Sequence, residues 1–145
     1  MTIGIANDHH GVEIKKRIIN YLNKKNINYI NYGCDLEDNI DYIDYALKLC
    51  NGINKKECDL GILVCGTGIG MSIVANKIKG IICGKVNTPE EARLTKNHNM
   101  ANVISLSENT TDLEQILDNF INTEYSQEER HIRRNKKILN IENEQ

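Results

Sequence analysis

The sequence predicts a single-domain α/β fold, a Rossmann-like αβα sandwich in which helices cover both faces of a five-stranded parallel sheet. Five short apolar runs alternate with longer segments of helical periodicity. This alternation is typical of doubly wound parallel sheets, whose strands are apolar on both faces. The 145 residues contain one proline and no linker rich in glycine and serine, so we expect one domain over residues 1–145.

The strands are predicted from short runs rich in branched apolar residues. Between the first two runs, Ile14, Ile18 and Leu22 are four residues apart and form the apolar stripe of a helix. Two more helices are predicted at residues 42–49 and 72–78. The predicted strands are residues 2–6, 27–32, 59–64, 81–86 and 102–106.

Three further helices are predicted from the residues at their starts. Thr88 supplies a capping hydroxyl, Pro89 suits the first helical position, and Glu91 completes a capping box. Similar signals begin at Thr111 and at Ser126. The last one predicts an extra C-terminal helix over about residues 127–141. This segment has few apolar residues, which favours packing on a partner subunit over burial in the core.

The composition excludes several classes of protein. A formal net charge of −2 gives no global field that would attract nucleic acid or an acidic membrane. No apolar run has the length of a membrane span, and the N-terminus lacks a signal-peptide pattern. The five cysteines are irregularly spaced without a C-x-x-C pair, which argues against a structural zinc site and a disulfide scaffold. We therefore expect a cytoplasmic protein that binds neither nucleic acid nor membranes.

Chemically versatile side chains follow the predicted strands. In doubly wound sheets the ligand lies beyond the carboxyl ends of the strands, where the strand order changes direction. Asp8 and His9 follow the first strand, a segment from Cys65 to Ser72 follows the third, and His98 with its neighbour follows the fourth strand and its helix. We expect these three clusters to converge at one edge of the sheet.

Cys65 is the most informative of these residues. It ends an apolar strand and precedes three alternating glycines, Gly66, Gly68 and Gly70, that lead into a helix. Such a loop aims successive N–H groups into one space, which stabilises anions and lowers the pKa of a nearby thiol. The alternative is that Cys65 is only a small buried apolar residue. The other four cysteines lack this context and are predicted to be inert.

Each of the other features also has an ordinary structural interpretation. The glycine loop matches neither the dinucleotide fingerprint nor a nucleotide P-loop, and it could be a simple strand-to-helix turn. Asp8 could cap a helix, and His98 could be a surface histidine near a helix end. Arg130 and Arg134 share one helix face. They could form a solvated basic face or a phosphate clamp, for which the forked donors of arginine are suited.

Taken together, these clusters resemble the type B ribose-5-phosphate isomerases and the related galactose-6-phosphate isomerase subunits. The resemblance covers nearly the whole chain. Its most specific part is the unbroken segment from Gly61 to Lys77, which is close to the family signature. Other matching elements, in family order, are Asp8-His9, Asp41-Tyr42, His98-Asn99, Ala101-Asn102-Val103 and Arg130-His131 with Arg134.

The resemblance implies an enzyme that isomerises ribose 5-phosphate and ribulose 5-phosphate through a cis-enediolate. Cys65 would be the base at C2, and His98 the acid that opens the furanose ring. The enediolate oxygens would be held by the loop backbone and nearby side chains: Gly66, Thr67, Gly68, Ile69, Gly70, Ser72 and Asn99. Asp8 and His9 would contact the ring oxygen and hydroxyls, and Arg130, His131 and Arg134 would bind the phosphate.

The resemblance also implies a homodimer, or a tetramer, whose active sites borrow residues from the partner chain. It implies that no metal or organic cofactor is needed. The chemistry agrees with the interpretation of the loop, because proton abstraction beside a carbonyl needs a base and preorganised donors for the oxyanion. Binding of a remote phosphate would hold the reacting carbon in place.

The residues around the predicted substrate depart from the family pattern. Asn109 stands where relatives have a phosphate-binding arginine, and His10 stands where a small residue is usual. The missing arginine leaves open weaker binding, a substitute such as Arg133 or Lys137, or a different substrate. Alternatives are therefore an isomerase of a six-carbon sugar phosphate (allose 6-phosphate or galactose 6-phosphate) and a non-catalytic sugar-phosphate-binding protein. Three other departures are Ile43, Ile82 and Met100.

Overall fold

The computed structural model describes residues 1–35 and 40–145, and it confirms the predicted α/β fold. Five parallel strands form one sheet in the order β2-β1-β3-β5-β4. β1 and β3 are neighbours, and the strand order changes direction between them. The strands are β1 Thr2–Asn7, β2 Asn28–Asn31, β3 Leu60–Cys65, β4 Cys83–Lys85 and β5 Val103–Ser107.

Among the described residues, six α-helices connect and flank these strands, and a short 3-10 turn, His9–Gly11, precedes the first. They are α1 Val12–Lys24, α2 Tyr42–Asn54, α3 Ile69–Asn76, α4 Pro89–Asn99, α5 Leu113–Asn122 and α6 Glu129–Ile141. The predicted strands and helices all exist, but several boundaries differ. α2 continues five residues beyond its predicted end, and α3 begins and ends earlier than predicted.

The fourth strand is much shorter than the predicted run of residues 81–86. Side chains take over backbone hydrogen bonds at its start, because Asn102 Oδ1 accepts from the N–H of Ile82 at 2.9 Å and Asn76 Oδ1 accepts from the N–H of Cys83 at 2.8 Å. β4 is also an edge strand of the described sheet, so it pairs with β5 alone. An apolar run thus overestimates the length of a strand whose first residues bond to side chains.

Only one of the three predicted capping boxes forms. At Thr88 the hydroxyl accepts from the N–H of Glu91 at 3.1 Å, which confirms the predicted start of α4. The prediction at Thr111 is wrong, because Asp112 in a left-handed conformation leads into α5. The prediction at Ser126 is wrong as well, since α6 begins at Glu129 without a side-chain cap.

Two apolar layers sandwich the sheet. Ile3, Ile5 and Ile62 pack with residues of α1, α4 and α5 on one face. Ala6 and Leu63 pack with residues of α2 and α3 on the other. Successive strand residues alternate between the two layers, which explains why the strands are apolar throughout. The described helices are all too short or too polar to cross a membrane.

The parallel topology gives the sheet two distinct edges, one at the carboxyl ends and one at the amino ends of the strands. α4 returns the chain to the amino edge, where β5 begins four residues after Asn99, past the last turn of the helix. α6 packs there against its own chain: Asn135 Nδ2 donates to the carbonyl of His98 at 2.8 Å, and Glu142 Oε1 accepts from the N–H of Gly80 at 2.9 Å. Packing of α6 on a partner subunit stays a prediction.

Candidate active site

Cys65 ends β3 at the carboxyl edge of the sheet and is almost fully buried. The backbone N–H of Gly68 donates to Cys65 Sγ at 3.2 Å. A hydrogen bond from a fixed amide stabilises negative charge on the sulfur. The loop that follows β3 therefore folds back over the thiol and begins α3 beside it.

The loop has its shape because Gly68 is in a left-handed conformation with φ 79°. A Cβ at this position would lie 3.0 Å from the carbonyl carbon of Leu106, so glycine also allows a close approach to β5. Two serines of β5 hold the loop carbonyls: Ser105 Oγ donates to Gly68 at 2.7 Å, and Ser107 Oγ donates to Gly66 at 2.9 Å. The loop is thus fixed before any ligand binds.

The remaining predicted loop residues lie at the mouth of this turn. Thr67 and Ile69 are exposed, and Thr67 Oγ1 accepts from the N–H of Ile69 at 3.1 Å. Ser72 Oγ donates to the carbonyl of Ile69 at 2.7 Å. Gly70 lies against the ring of Tyr42, where a Cβ would come within 2.7 Å of the ring. Both hydroxyls are therefore held by the backbone of Ile69.

The end of β1, beside the end of β3, carries the second predicted cluster. Asp8 is buried, and its Oδ1 accepts from the N–H of His10 at 2.9 Å, so it does cap the 3-10 turn. His9 Nδ1 is buried with no hydrogen-bond partner among the described residues. The rings of His9 and His10 lie 4.1 Å apart. Asp8, His9 and Cys65 are thus brought to one edge, as predicted.

Asn7 and Lys15 support this edge, and the sequence analysis missed both. Each is almost fully buried, and each donates from its side chain to the carbonyl of Cys34, in the segment after β2. Lys15 also pairs with Asp35 at 2.5 Å. A lysine and an asparagine directed at one backbone carbonyl leave no sequence pattern, so only the fold could identify them.

The four other cysteines are thiols in environments that oppose ionisation. Burial raises the pKa of Cys50 to about 12 and also raises the pKa of Cys83. Desolvation is likewise the main cause of the raised pKa of Cys34 and of Cys58. This agrees with their predicted inertness. Across residues 1–35 and 40–145, no three His, Cys, Asp or Glu side chains are grouped to hold a metal ion.

The third predicted cluster does not join the first two within one chain. His98 and Asn99 end α4 at the amino edge, whereas Cys65 lies at the carboxyl edge. β3 has six residues and spans roughly 17 Å between these edges. The expected convergence of all three clusters at one edge is therefore wrong for a single chain. The physical reason is that a helix between parallel strands must return the chain to the opposite edge.

His98 instead joins residues of α6. Its ring lies 4.2 Å from that of His131, which is buried and whose Nδ1 is 2.9 Å from Ser126 Oγ. Desolvation, assisted by His98 and Arg130, lowers the pKa of His131. Arg130 pairs with Glu128 at 2.9 Å.

The two other arginines of this helix are exposed. Arg134 makes no hydrogen bond or ion pair with any described residue, and Arg133 pairs with Glu129 at 3.1 Å. The amino edge therefore carries a cluster of histidine and arginine that we call the basic half-site. The carboxyl-edge cluster around Cys65 is the thiol half-site.

Lys96, another buried residue that the sequence analysis missed, anchors the basic half-site. Its Nζ donates to the carbonyl of Phe120 at 2.7 Å and lies 5.5 Å from the centre of the Tyr125 ring. Burial lowers the pKa of Lys96. This amine therefore fixes α5 and the segment that follows it on α4, two residues before His98.

Comparisons with known proteins agree with this geometry. The model of the Ribose/Galactose Isomerase family matches residues 3–138. A Mycoplasma genitalium protein named probable ribose-5-phosphate isomerase B is 40% identical over 147 residues, which cover 98% of this chain and 96% of the relative. The solved structure of Clostridium thermocellum ribose-5-phosphate isomerase B is 37% identical with a TM-score of 0.94, and the match covers 99% of both chains.

A second solved structure contains a ligand. It is ribose-5-phosphate isomerase B from Mycoplasma genitalium with bound ribulose-5-phosphate, 39% identical with a TM-score of 0.92. The match covers 99% of this chain and 97% of that one. The fold, the cysteine at the carboxyl edge and these matches define the class of protein, which is an isomerase enzyme. The chain belongs to the Ribose/Galactose Isomerase family.

Proposed function

We propose that this protein interconverts ribose 5-phosphate and ribulose 5-phosphate through a cis-enediolate, with Cys65 as the base. The observation that carries the proposal is the hydrogen bond of 3.2 Å from the N–H of Gly68 to Cys65 Sγ. It supports a thiolate held beside a loop of amide donors. Relatives that cover nearly the whole chain are named for this reaction.

The proposed reaction moves one proton between two carbons. The Cys65 thiolate removes the proton from C2 of the open-chain aldose, and the electrons of that C–H bond form the C1=C2 double bond of the enediolate. The amides of Gly66 to Gly70 stabilise the negative oxygen that develops at C1. The hydroxyl proton of O2 then passes to O1, the C2–O bond becomes the carbonyl, and the Cys65 thiol returns its proton to C1, which gives the ketose and restores the thiolate.

The other predicted residues take supporting roles in this proposal. His98 protonates the ring oxygen to open the furanose, because an imidazole can donate a proton near neutral pH. Asp8 and His9 orient the hydroxyls. Thr67, Ile69, Ser72 and Asn99 support the enediolate, and Arg130, His131 and Arg134 bind the phosphate.

We propose that a complete site forms between two chains in a homodimer. The thiol half-site and the basic half-site lie at opposite edges of the sheet, so His98 of the same chain is badly placed to act on a substrate at Cys65. Exposed apolar side chains support an interface beside the thiol half-site: Ile69 and Ile73 of α3 are 53% and 54% exposed. Burying such residues favours association. A tetramer would consist of two such dimers.

We also propose a cytoplasmic setting, and its support is chemical. All five cysteines are described, and each is a thiol. Oxidising compartments favour disulfides in secreted proteins. A catalytic thiolate needs reducing surroundings to stay active.

A substrate assay tests the proposed function. Purified protein is incubated separately with ribose 5-phosphate, allose 6-phosphate and galactose 6-phosphate, and formation of the ketose is measured. We expect turnover of ribose 5-phosphate with the highest kcat/KM. Preference for a six-carbon substrate would replace the proposed substrate but keep the reaction, and binding without turnover of any sugar would remove the enzymatic proposal.

A further inference from the structure

An ionisable pair at the carboxyl edge has no role in the mechanism above. His10 Nδ1 lies 3.1 Å from Glu108 Oε2, although the two residues are 98 positions apart in the sequence. His10 is in the turn after β1, and Glu108 follows β5 directly. The pair therefore bridges the loops on both sides of β3, across the thiol half-site.

Both members of the pair contact the glycine loop that begins at Cys65. The backbone N–H of Glu108 donates to the carbonyl of Cys65 at 3.0 Å and lies 3.3 Å from that of Gly66. The His10 ring lies against Gly66, since a Cβ there would be 3.7 Å from His10 Cδ2. The backbone of His10 is fixed as well, by its hydrogen bond to Asp8. The imidazole is thus held in a defined position against Gly66, the residue that follows the proposed base.

The surroundings of the pair are acidic. His9, His10, Glu108 and Asn109 line an open cavity of about 480 Å³, together with Glu13 and Ile14. A phosphate group carries about two negative charges at pH 7. Glu13 and Glu108 would repel such a group. His10 pairs with Glu108 and is the exposed imidazole in this cavity.

We propose that His10, positioned by Glu108, binds the phosphorylated end of the sugar substrate. The inference rests on the proposed function and adds a contact from the chain that supplies Cys65. When the imidazole is protonated, Glu108 accepts from Nδ1–H, which orients the ring, and Nε2–H remains as a donor to the phosphate. His10 is then a specificity-determining residue that favours phosphorylated sugars over neutral ones, and Glu108 is a positioning residue.

The test measures binding and catalysis separately. Affinity for inorganic phosphate is measured by calorimetry, and kcat and KM are measured with ribose 5-phosphate. For His10→Ala we expect about tenfold weaker phosphate binding and a similar rise in KM, with a smaller change in kcat, because one hydrogen bond to a charged group is lost. His10→Lys restores a cation and should recover much of the affinity.

Glu108 variants test its positioning role. Glu108→Gln keeps an oxygen that can accept from Nδ1–H, so its KM should stay nearer the wild type than that of Glu108→Ala. In a protein that already carries His10→Ala, Glu108→Ala should not weaken phosphate binding further. Lys16→Ala is the matched control, because it removes an exposed cation of α1 whose partner is Glu13.

The outcomes separate this inference from the proposed function. If phosphate affinity and KM of His10→Ala stay within about twofold of the wild type, the pair is an ordinary surface ion pair of little energetic value and the inference is overturned. It is overturned as well if Lys16→Ala weakens phosphate binding as much as His10→Ala does. If His10→Ala weakens phosphate binding but the wild type isomerises no sugar phosphate, the site assignment stands and the proposed function fails.

Discussion

Cys65 differs from the other cysteines by the group that faces its sulfur. An amide N–H donates to Cys65 Sγ, whereas desolvation is the main influence on Cys50 and Cys83. Both kinds of cysteine are buried, so burial alone does not distinguish the proposed base from the cysteines that are predicted to be inert. The glycine loop distinguishes them, and this signal is present in the sequence.

We expect Cys65→Ala to lower kcat for ribose 5-phosphate by at least about 100-fold, because one positioned proton transfer contributes about 10²–10⁴-fold. The fold and the affinity for ribulose 5-phosphate should change little. Steady-state kinetics and calorimetry measure the two effects. Cys50→Ala is the control: it removes a core thiol and should lower stability but not turnover. Retention of more than about a tenth of wild-type kcat by Cys65→Ala would exclude Cys65 as the base.

At the scale of elements, the loop between β3 and α3 depends on one glycine both for its backbone conformation and for its contact with the proposed base. Gly68 permits the left-handed turn, the approach to β5 and the bond to Cys65. All three depend on the absence of a side chain.

We expect Gly68→Ala to lower the free energy of unfolding by about 1–3 kcal/mol, since a non-glycine residue is strained at this φ. Because the amide would also shift away from the sulfur, kcat should fall more than the loss of folded protein explains. Urea denaturation and kinetics on the same preparations measure both. Gly80→Ala is the matched control, as it has a similar φ of 87° but lies in the turn before β4, at the amino edge. Equal loss of kcat in both variants would contradict the role of Gly68.

The contact between α4 and α6 should make stability depend on pH. The pKa of His131 is lowered in the folded protein, so between that pKa and about 6.5 the unfolded chain binds more protons than the folded one. The stabilising contribution is therefore complete above about pH 6.5 and declines as the pH falls below it. Denaturation at several pH values should give a smaller decline for His131→Gln than for the wild type. Identical slopes would show that His131 is not the titrating group.

The start of α6 shows why a local signal can fail. Ser126 has the residue type and spacing of a capping box, but its N–H donates to the carbonyl of Asn97 and its hydroxyl contacts His131. The hydroxyl also accepts from the N–H of Glu128 at 3.0 Å, so it closes a turn two residues on instead of capping the N–H three residues on. Thr88, which has no such competitor, caps α4 as predicted.

At the scale of the whole molecule, the sequence predicted the fold and the thiol half-site because both depend on local patterns. The His10–Glu108 pair could not be predicted in this way, since contacts between distant residues leave no periodicity. The position of His98 was predictable in principle. A helix after a parallel strand leads back to the opposite edge, so the end of α4 had to lie away from Cys65.

A mixture of two inactive variants tests the shared site. In a dimer of one Cys65→Ala chain and one His98→Ala chain, one site carries both defects and the other carries none. Random assembly from equal amounts should therefore give about a quarter of the wild-type activity per chain. Ketose formation is measured after the chains are mixed, unfolded and refolded together.

The control pairs two variants of the same half-site, His98→Ala and Arg134→Ala, whose mixed dimer has no intact site. This mixture should be no more active than its parents. Differently tagged chains show whether mixed dimers form. If they form and the Cys65→Ala mixture gains no activity, then each chain holds a complete site of its own.

The distance between the two half-sites has a kinetic consequence. In the proposed arrangement an isolated chain is folded but inactive, because catalysis requires a dimer. In solutions far more dilute than the dissociation constant of the dimer, the rate of ketose formation would rise with the square of the chain concentration. At such concentrations, doubling the number of chains would increase the rate of ketose formation fourfold.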